Sequence, residues 1–181
     1  MVTKYFTDSV QWRAWLTDHF DRESAIWLEY PKKKTGKKRI FYNHAVEEAL
    51  CFGWIDSPVK ALNEDTSIQR FCQRRLNSTF SQANKERLKW LLQERLIHPT
   101  IEKVVQETFV FPVDILDRLK ANPATWKHYN NFSAAYRRIR IAYIESARKR
   151  PEEFDKRLNN FLLKTKENKL IKGFGGIDKY Y

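Results

Sequence analysis

The hydrophobic pattern changes period partway along the chain, and this change limits the folds that the sequence can form. Over Ser24–Tyr30 and Ser67–Arg75, apolar and polar residues alternate in the way that is typical of strands. From Ser81 onward, the apolar residues recur at helical spacing. Strands joined by short connections favour an antiparallel arrangement. The sequence therefore predicts an α+β fold, a small antiparallel β-meander with flanking helices followed by an all-helical C-terminal part.

Capping residues and prolines divide the helical pattern into separate helices. Asp8 and Gln11 form a capping-box pattern before a first helix over about residues 9–20. Later helices are predicted to begin at Ser81, Pro99, Pro112, Asn122-Pro123, Ser133 and Pro151. The sharpest change of character falls near residue 110, so we predict an α+β domain at 1–110 and a helical region at 111–181 packed on it. The tail IKGFGGIDKYY is not expected to be helical.

The segment EALCFGWID at 48–56 places a glycine between two aromatic residues. Asn43 is a suitable cap for a short helix, and Gly53 stands where a left-handed glycine would end that helix. A strand over Trp54–Leu62 is predicted to follow at once. The earlier stretch PKKKTGKKR is strongly basic from Lys32 to Arg39 and predicts an exposed hairpin loop that leads into a strand over Arg39–Tyr42.

The chain is strongly basic, with 34 Lys and Arg against 22 Asp and Glu and a formal net charge of +12. This surplus favours anionic partners such as nucleic acid, phosphorylated ligands or acidic membrane surfaces, and it also serves as a solubilising exterior. Cys51 and Cys72 have no metal-binding spacing, and no glycine-rich phosphate loop occurs. The N-terminus lacks an export signal, and no apolar run reaches membrane-spanning length. We therefore expect a cytoplasmic protein with no metal and no other cofactor.

Several short motifs resemble one protein family. They are ALCFGWID at 49–56, the arginines of Arg70-Phe71 and Arg74-Arg75, the run from Ser78 to Asn84, and Tyr136-Arg137-Arg138 followed by IESA at 144–147. In this order the motifs resemble the YdeI/OmpD-associated family, also called the bacteriocin-protection family, over nearly the whole chain. The resemblance implies a bacterial protein connected with protection against bacteriocins or antimicrobial peptides, and it brings no reaction or catalytic residue. Phe80 departs from the family pattern, which often has tryptophan there.

A small group of residues forms the candidate ligand site. Its members are Trp54, Asp56, Arg70, Arg74, Arg75, Ser81 and Asn84. If the strands that carry them are neighbours, Asp56 and the arginines converge beside a helix N-terminus, which suits an anion. The alternative is structural: Asp56 pairs with an arginine at a sheet edge, and Ser81 only caps its helix. No catalytic residue is predicted, because the histidines are scattered singly and both cysteines occupy apolar positions.

Three functions fit these observations. The first is a non-catalytic protein for stress or antimicrobial-peptide protection that binds an anionic ligand or protein partner. The second is a nucleic-acid-binding protein, which the charge suits although no recognised DNA or RNA motif occurs. The third is an enzyme with a site around Asp56, Arg70 and Arg74. We expect no continuous basic groove, and we therefore predict that nucleic acid binds weakly and is released near physiological salt.

Overall fold

The structure is a computed structural model that describes residues 3–75, 78–101, 109–173 and 177–181. The chain divides into two units. The sheet unit consists of Met1–Thr79 and Leu88–Val105, and the helical unit consists of Phe80–Arg87 and Gln106–Tyr181. Residues 80–87, which the sequence prediction placed in the first domain, therefore group with the C-terminal helices.

The sheet unit is built on a mixed five-stranded sheet. Its strands are β1 (Thr3–Tyr5), β2 (Ala25–Pro31), β3 (Trp54–Asp56), β4 (Lys60–Ala61) and β5 (Thr66–Gln73). β5 lies inside the sheet, antiparallel to β2 on one side and to β3 and β4 on the other. β1 runs parallel to β2, with α1 (Ser9–His19) as the crossover between them. The predicted α+β class is confirmed, and the sheet is mixed because of this crossover rather than a simple meander.

The register of the sheet decides which side chains enter the core. Ile26 and Leu28 of β2 are buried, and they lie opposite Phe71 and Gln69 of β5. Side chains alternate between the two faces of a strand, and directly paired residues share a face. Asp56 pairs with Phe71, so its side chain projects from the same face as the core residues.

Two helices pack in the sheet unit, and their starts follow the sequence only in part. The side chain of Asp8 caps α1 by accepting a hydrogen bond from the Gln11 amide at 3.0 Å, as predicted. α2 (Tyr42–Cys51) contributes Ala45, whose carbonyl accepts a 3.0 Å hydrogen bond from the buried Trp12 indole. α2 begins one residue before the predicted cap Asn43, so Phe41 occupies the cap position and Asn43 lies in the first turn of the helix.

The strand predicted over Arg39–Tyr42 is wrong. The basic loop instead contains a 3₁₀ turn at Lys33–Thr35, which ends at Gly36 with a φ of 65°. Ile40 is buried and donates a single backbone hydrogen bond to the Phe6 carbonyl at 3.0 Å. One such bond holds the segment against the core without a strand ladder, and α2 starts immediately afterwards.

Gly53 adopts the conformation that the sequence predicted. Its φ is 73°, and its amide donates to the Leu50 carbonyl at 3.1 Å, which closes the end of α2. A glycine is favoured at this position because a side chain at positive φ is strained.

The helical unit has a core of apolar side chains from four helices. These are α4 (Val113–Lys120), α5 (Pro123–Asn131), α6 (Ala134–Glu145) and α7 (Pro151–Lys166). Asn122 and Ser133 cap α5 and α6, as predicted. The tail forms a 3₁₀ turn at Ile177–Tyr180, and Ile177 is fully buried. α3 (Gln82–Gln93) begins after Ser81, whereas the body of the helix predicted from Pro99 lies outside the described residues.

Candidate functional site

Asp56 lies in a hydrogen-bonded network of uncharged side chains. Its Oδ2 accepts hydrogen bonds from the hydroxyl of Tyr42 at 3.0 Å and from Nε2 of Gln69 at 2.9 Å. Gln69 is almost fully buried, and its Oε1 accepts a 3.0 Å hydrogen bond from the hydroxyl of Tyr30. Its Nε2 also donates to the Ser57 carbonyl at 2.8 Å. Gln69 therefore connects Tyr30 of β2 to Asp56 of β3 across β5.

The network keeps the Tyr30 phenol protonated. Burial raises the pKa of Tyr30 above its ordinary range, and the charge of Asp56 raises it further. A phenol in this state donates a hydrogen bond and is not an effective base at neutral pH. The network thus positions the side chains around Asp56.

The structure does not bring Asp56 and Arg70 together. Arg70 pairs with Trp27 and lies next to Phe71 along β5, so its side chain projects from the face opposite to that of Asp56. Within the part of the chain that the structure describes, no arginine forms an ion pair with Asp56. Neither the acid–guanidinium site required by the enzyme alternative nor the predicted structural pair is formed.

The two other candidate arginines lie beyond the end of β5. The Arg74 amide donates to the Gly53 carbonyl at 3.0 Å, and the Arg74 side chain is half-buried. Arg75 is exposed, and its carbonyl accepts hydrogen bonds from the amide and the hydroxyl of Ser78 at 3.0 and 2.8 Å. Both arginines belong to the sheet unit.

The remaining candidates have structural contacts. Trp54 is fully buried, and its indole donates to the Phe20 carbonyl at 3.0 Å, so its ring presents no surface to a ligand. In the helical unit, Ser81 Oγ accepts a 3.3 Å hydrogen bond from the Asn84 amide, which caps α3. Asn84 is buried and accepts a 3.0 Å hydrogen bond from the Arg87 guanidinium.

Two cavities on the sheet unit are lined by cationic and aromatic residues outside the predicted ligand site. The first has a volume of about 450 Å³ and is lined by Tyr30, Arg39, Phe41, Tyr42, Asn43, Val59 and Ser67. The second has a volume of about 510 Å³ and lies along the basic loop and the start of α1. Arg39 and Phe41 line both cavities, which are therefore adjacent. We use the name basic–aromatic surface for six residues of their combined lining: Lys33, Lys37, Lys38, Arg39, Phe41 and Tyr42.

The second cavity is rich in positive charge. Lys33, Lys37, Lys38 and Arg39 line it, and Asp8 is the single carboxylate among its described lining residues. The hydrogen bond from the Gln11 amide lowers the pKa of Asp8, so this carboxylate is ionised and serves mainly as the α1 cap. It lies 4.0 Å from the Lys38 ammonium. The cavity therefore retains a clear excess of positive charge for an anionic ligand.

Arg39 and Phe41 are held in place by the residue between them. Ile40 is buried, which leaves the two flanking side chains outside the core. The Arg39 guanidinium donates to the Pro31 carbonyl at 2.9 Å and lies 6.0 Å from the centre of the Tyr30 ring. Phe41 is 71% exposed, which is unusual for a large apolar ring placed beside a cavity. The sequence RIFYN at 39–43 already places an arginine and two aromatic residues close together. Because this stretch was interpreted as a strand, these side chains were not considered as a binding surface.

The described parts of the chain contain two free cysteines, Cys51 and Cys72, as well as other residue types that can bind metals. Burial raises the pKa of Cys51 to about 11, so its thiol is protonated at neutral pH. Among the described residues, no group of three or more His, Cys, Asp and Glu side chains is arranged to hold a metal ion. The same portion of the chain contains no helix long and apolar enough to cross a membrane.

The protein is an α+β protein of two units. Its sheet unit has two adjacent cavities that are lined by cationic and aromatic side chains. The chain belongs to the family described as a domain of unknown function (DUF8412), whose model matches residues 4–104, more than half of its length. Residues 108–168 match the family described as "Bacteriocin-protection, YdeI or OmpD-Associated", which confirms the resemblance over this part of the chain. No curated protein and no solved structure gave a significant match.

The two matches divide the motifs that carried the resemblance. Tyr136-Arg137-Arg138 and the IESA stretch lie inside the bacteriocin-protection match. ALCFGWID and the paired arginines after Arg70 lie inside the match to the domain of unknown function. All residues of the basic–aromatic surface lie within residues 4–104, the part that matches the domain of unknown function.

Proposed function

We propose that the protein is a non-catalytic binding protein that holds an anionic ligand or protein partner on the basic–aromatic surface and thereby serves bacteriocin protection. The observation that carries this proposal is the second cavity, in which four cationic side chains face one carboxylate beside the exposed Phe41 ring. The description of the family matched by residues 108–168 supports the protective role. Both cysteines are free, which supports the reduced, cytoplasmic location that we propose for it.

The contacts of the basic loop support an anionic ligand. Lys34 is paired with Asp65 at 2.8 Å, outside the basic–aromatic surface. Lys33 and Lys37 are exposed and form no ion pair with a described carboxylate. Arg39 has a fixed position through its hydrogen bond to Pro31, and a guanidinium recognises a carboxylate or phosphate with defined geometry. The uncommitted lysines supply long-range attraction, and Arg39 supplies orientation.

The aromatic part of the surface supports a partner that also carries apolar groups. Phe41 and Val59 are exposed at the rim of the first cavity. Burying such a ring against a partner contributes about 25 cal/mol for each Å² of apolar surface removed from water. An acidic segment with an apolar side chain satisfies both parts of the surface, whereas a small inorganic anion uses only the charges.

A binding experiment tests the location of the site. The probe is a fluorescein-labelled oligoglutamate peptide that ends in phenylalanine, and the readout is fluorescence anisotropy. We expect Arg39→Gln to weaken binding about tenfold, the loss of one or two charge-assisted hydrogen bonds. Phe41→Ser should weaken binding of this peptide more than that of the same peptide without its phenylalanine. The matched control Lys127→Gln removes one exposed charge from α5 in the helical unit and should leave the affinity unchanged.

The Lys127→Gln control distinguishes binding at the basic–aromatic surface from attraction of the peptide to the net positive charge of the protein. If Lys127→Gln weakens binding as much as Arg39→Gln does, the net charge accounts for the binding and the proposed surface is refuted. A survival assay tests the protective role: bacteria that express the wild-type protein should survive a bacteriocin better than bacteria that express Arg39→Gln at the same level. Equal survival of both strains, with the peptide-binding loss reproduced, would refute the connection between the surface and protection.

Nucleic acid is the second candidate ligand because exposed rings beside cations are also the means by which proteins hold single strands. Each phosphate contact lowers the slope of log K against log salt by about 0.9 on duplex and about 0.7 on single strands. We expect a shallow slope and weak binding near physiological salt. Labelled DNA and RNA titrated at low and physiological salt measure this slope, and submicromolar binding that persists at physiological salt would make nucleic acid the leading ligand.

A further inference from the structure

A separate cavity lies within the helical unit and takes no part in the surface described above. Its volume is about 390 Å³, within the range of small-molecule sites, and its walls come from α6, α7 and residues 171–173. The half-buried side chains of Tyr143 and Ile171 give the cavity an apolar floor, whereas the other apolar lining residues, Ile144 and Phe161, are each only 1% exposed. Cationic residues surround this floor, with Glu153 as the one carboxylate among the described lining residues.

One side of the cavity has a fixed ion pair. The Arg157 guanidinium donates from Nε to Glu153 at 2.6 Å and from a terminal nitrogen to the Tyr143 carbonyl at 2.7 Å. It also lies 3.8 Å from the centre of the Tyr143 ring. The hydrogen bond from Arg157 lowers the pKa of Glu153, so the carboxylate is ionised and its charge is matched by Arg157. This pair shapes the wall and adds little net charge.

The wall formed by residues 171–173 is anchored at several points. The Ile171 amide donates to the Tyr136 hydroxyl at 3.0 Å, and Arg140 donates to the Ile171 carbonyl. Arg140 also donates to the Tyr181 hydroxyl at 2.8 Å, while the Gly173 amide donates to Asp178 at 3.1 Å. Lys172 therefore sits between two backbone positions that are tied to the rest of the unit.

Two lysines at the cavity have no ion-pair partner among the described carboxylates. Lys172 lies on the anchored segment and Lys156 lies on α7; both are exposed, and they line the cavity together with Asn160. Lys156 contributes to the lowered pKa of Glu153 without forming an ion pair with it. Two ammonium groups and an amide are thus available to one bound molecule.

We propose that this cavity binds a phosphomonoester that carries an aromatic or short aliphatic group. A phosphomonoester has a charge of about −1.5 to −2 at neutral pH, which the two lysines match, and lysine binds phosphate as a point charge. The organic group packs on the half-buried side chains of Tyr143 and Ile171, which a free phosphate ion leaves uncovered. The proposal concerns different residues and a different unit from the proposed function, and it does not depend on it.

The experiment is calorimetric titration of the full chain with phenyl phosphate, inorganic phosphate and benzoate. We expect phenyl phosphate to bind at least about tenfold more tightly than either of the others, because only this probe has both the second charge and the ring. Lys156→Gln and Lys172→Gln should each reduce its affinity about tenfold. Lys166→Gln is the matched control, since it removes an exposed charge from the end of α7 outside the cavity. All three positions are exposed, so the variants are expected to fold.

Several results would overturn the proposal. Absence of phenyl phosphate binding at millimolar concentration would do so, as would equal affinity for benzoate or for inorganic phosphate. If Lys166→Gln and Lys172→Gln lose the same affinity for phenyl phosphate, the probe is attracted by the net charge of the protein and not by a site in the cavity. The loss caused by Lys172→Gln should be the same in the Arg39→Gln background, because the cavity and the basic–aromatic surface use different residues. If Arg39→Gln alone removes phenyl phosphate binding and Lys172→Gln does not, the probe binds the sheet unit and the proposed cavity site is refuted.

Discussion

Replacing Gly53 by alanine should destabilise the protein for two separable reasons. The φ of 73° places any L-residue in the left-handed region, which costs about 1–2 kcal/mol. Alanine also restricts the unfolded chain, which offsets about 0.4–1 kcal/mol of that cost. A Cβ at Gly53 would lie 2.8 Å from Cδ1 of Ile101, so the isoleucine side chain must move. Crowding of this kind typically costs about 1–3 kcal/mol, and the low end applies because the contact is the tip of a flexible side chain.

The expected total is about 2 kcal/mol for Gly53→Ala and more for Gly53→Val, whose β-branch tolerates positive φ poorly. For a chain of this length, the change corresponds to a melting temperature about 4–8 °C lower. Urea unfolding followed by tryptophan fluorescence measures the free energy of unfolding directly.

Gly36 and Ile101 provide the controls. Gly36 has a φ of 65° and nothing within 4 Å of its ideal Cβ, so Gly36→Ala should show the backbone cost alone, about 1 kcal/mol. Ile101→Val deletes Cδ1, the atom that a Cβ at Gly53 would meet. In the Ile101→Val background, Gly53→Ala should therefore cost about as much as Gly36→Ala. If Gly53→Ala is no more harmful than Gly36→Ala in the wild-type background, the contact argument fails, and if neither change is destabilising, the backbone argument fails.

Three further measurements test other contacts. Arg138 donates hydrogen bonds of 2.6 and 2.8 Å to the buried Glu86, which also accepts one from Gln82 at 2.7 Å, so Arg138→Ala should cost about 2–3 kcal/mol in urea unfolding; a cost below 1 kcal/mol would contradict the role of the pair. At about pH 8, iodoacetamide should modify the half-buried Cys72 before the buried Cys51, because the pKa of about 11 leaves roughly one thousandth of the Cys51 side chains as thiolate. Mass spectrometry measures the two modification rates, and equal rates would contradict this prediction. Sulfate should raise the melting temperature more than chloride at equal ionic strength, and Arg74→Ala should reduce this difference if Arg74 belongs to the predicted anion site; an unchanged difference in Arg74→Ala would remove that site.

The sequence predicted the elements whose causes are local. The Asp8, Asn122 and Ser133 caps and the left-handed Gly53 depend on residues only a few positions apart, so a short stretch contains all the information. β1 was missed because three residues carry too little pattern, and its parallel pairing is decided by contact with β2 more than twenty positions away.

The candidate site was harder to predict because it depends on register. Asp56 and Arg70 are both on paired strands, yet a shift of one residue along β5 moves a side chain to the opposite face. The sequence does not fix which residue of β5 faces Asp56, so Gln69 and Tyr30 were not considered as its neighbours. Arg39 and Phe41 were missed for a related reason, since alternating apolar residues before a helix resemble a strand until their hydrogen-bond partners are known.

The position of β5 inside the sheet also determines when the sheet can fold during synthesis of the chain. β2, β3 and β4 all pair with β5, although all three precede it in the chain. A ribosome adds roughly 5–20 residues each second, so the residues between the end of β2 at Pro31 and the end of β5 at Gln73 take roughly 2–8 s to make. During this interval the aromatic and apolar side chains of β2 have no antiparallel partner. A nascent chain that stalls before Thr66 exposes an unpaired strand edge, and this is the stage at which a chaperone would be most needed.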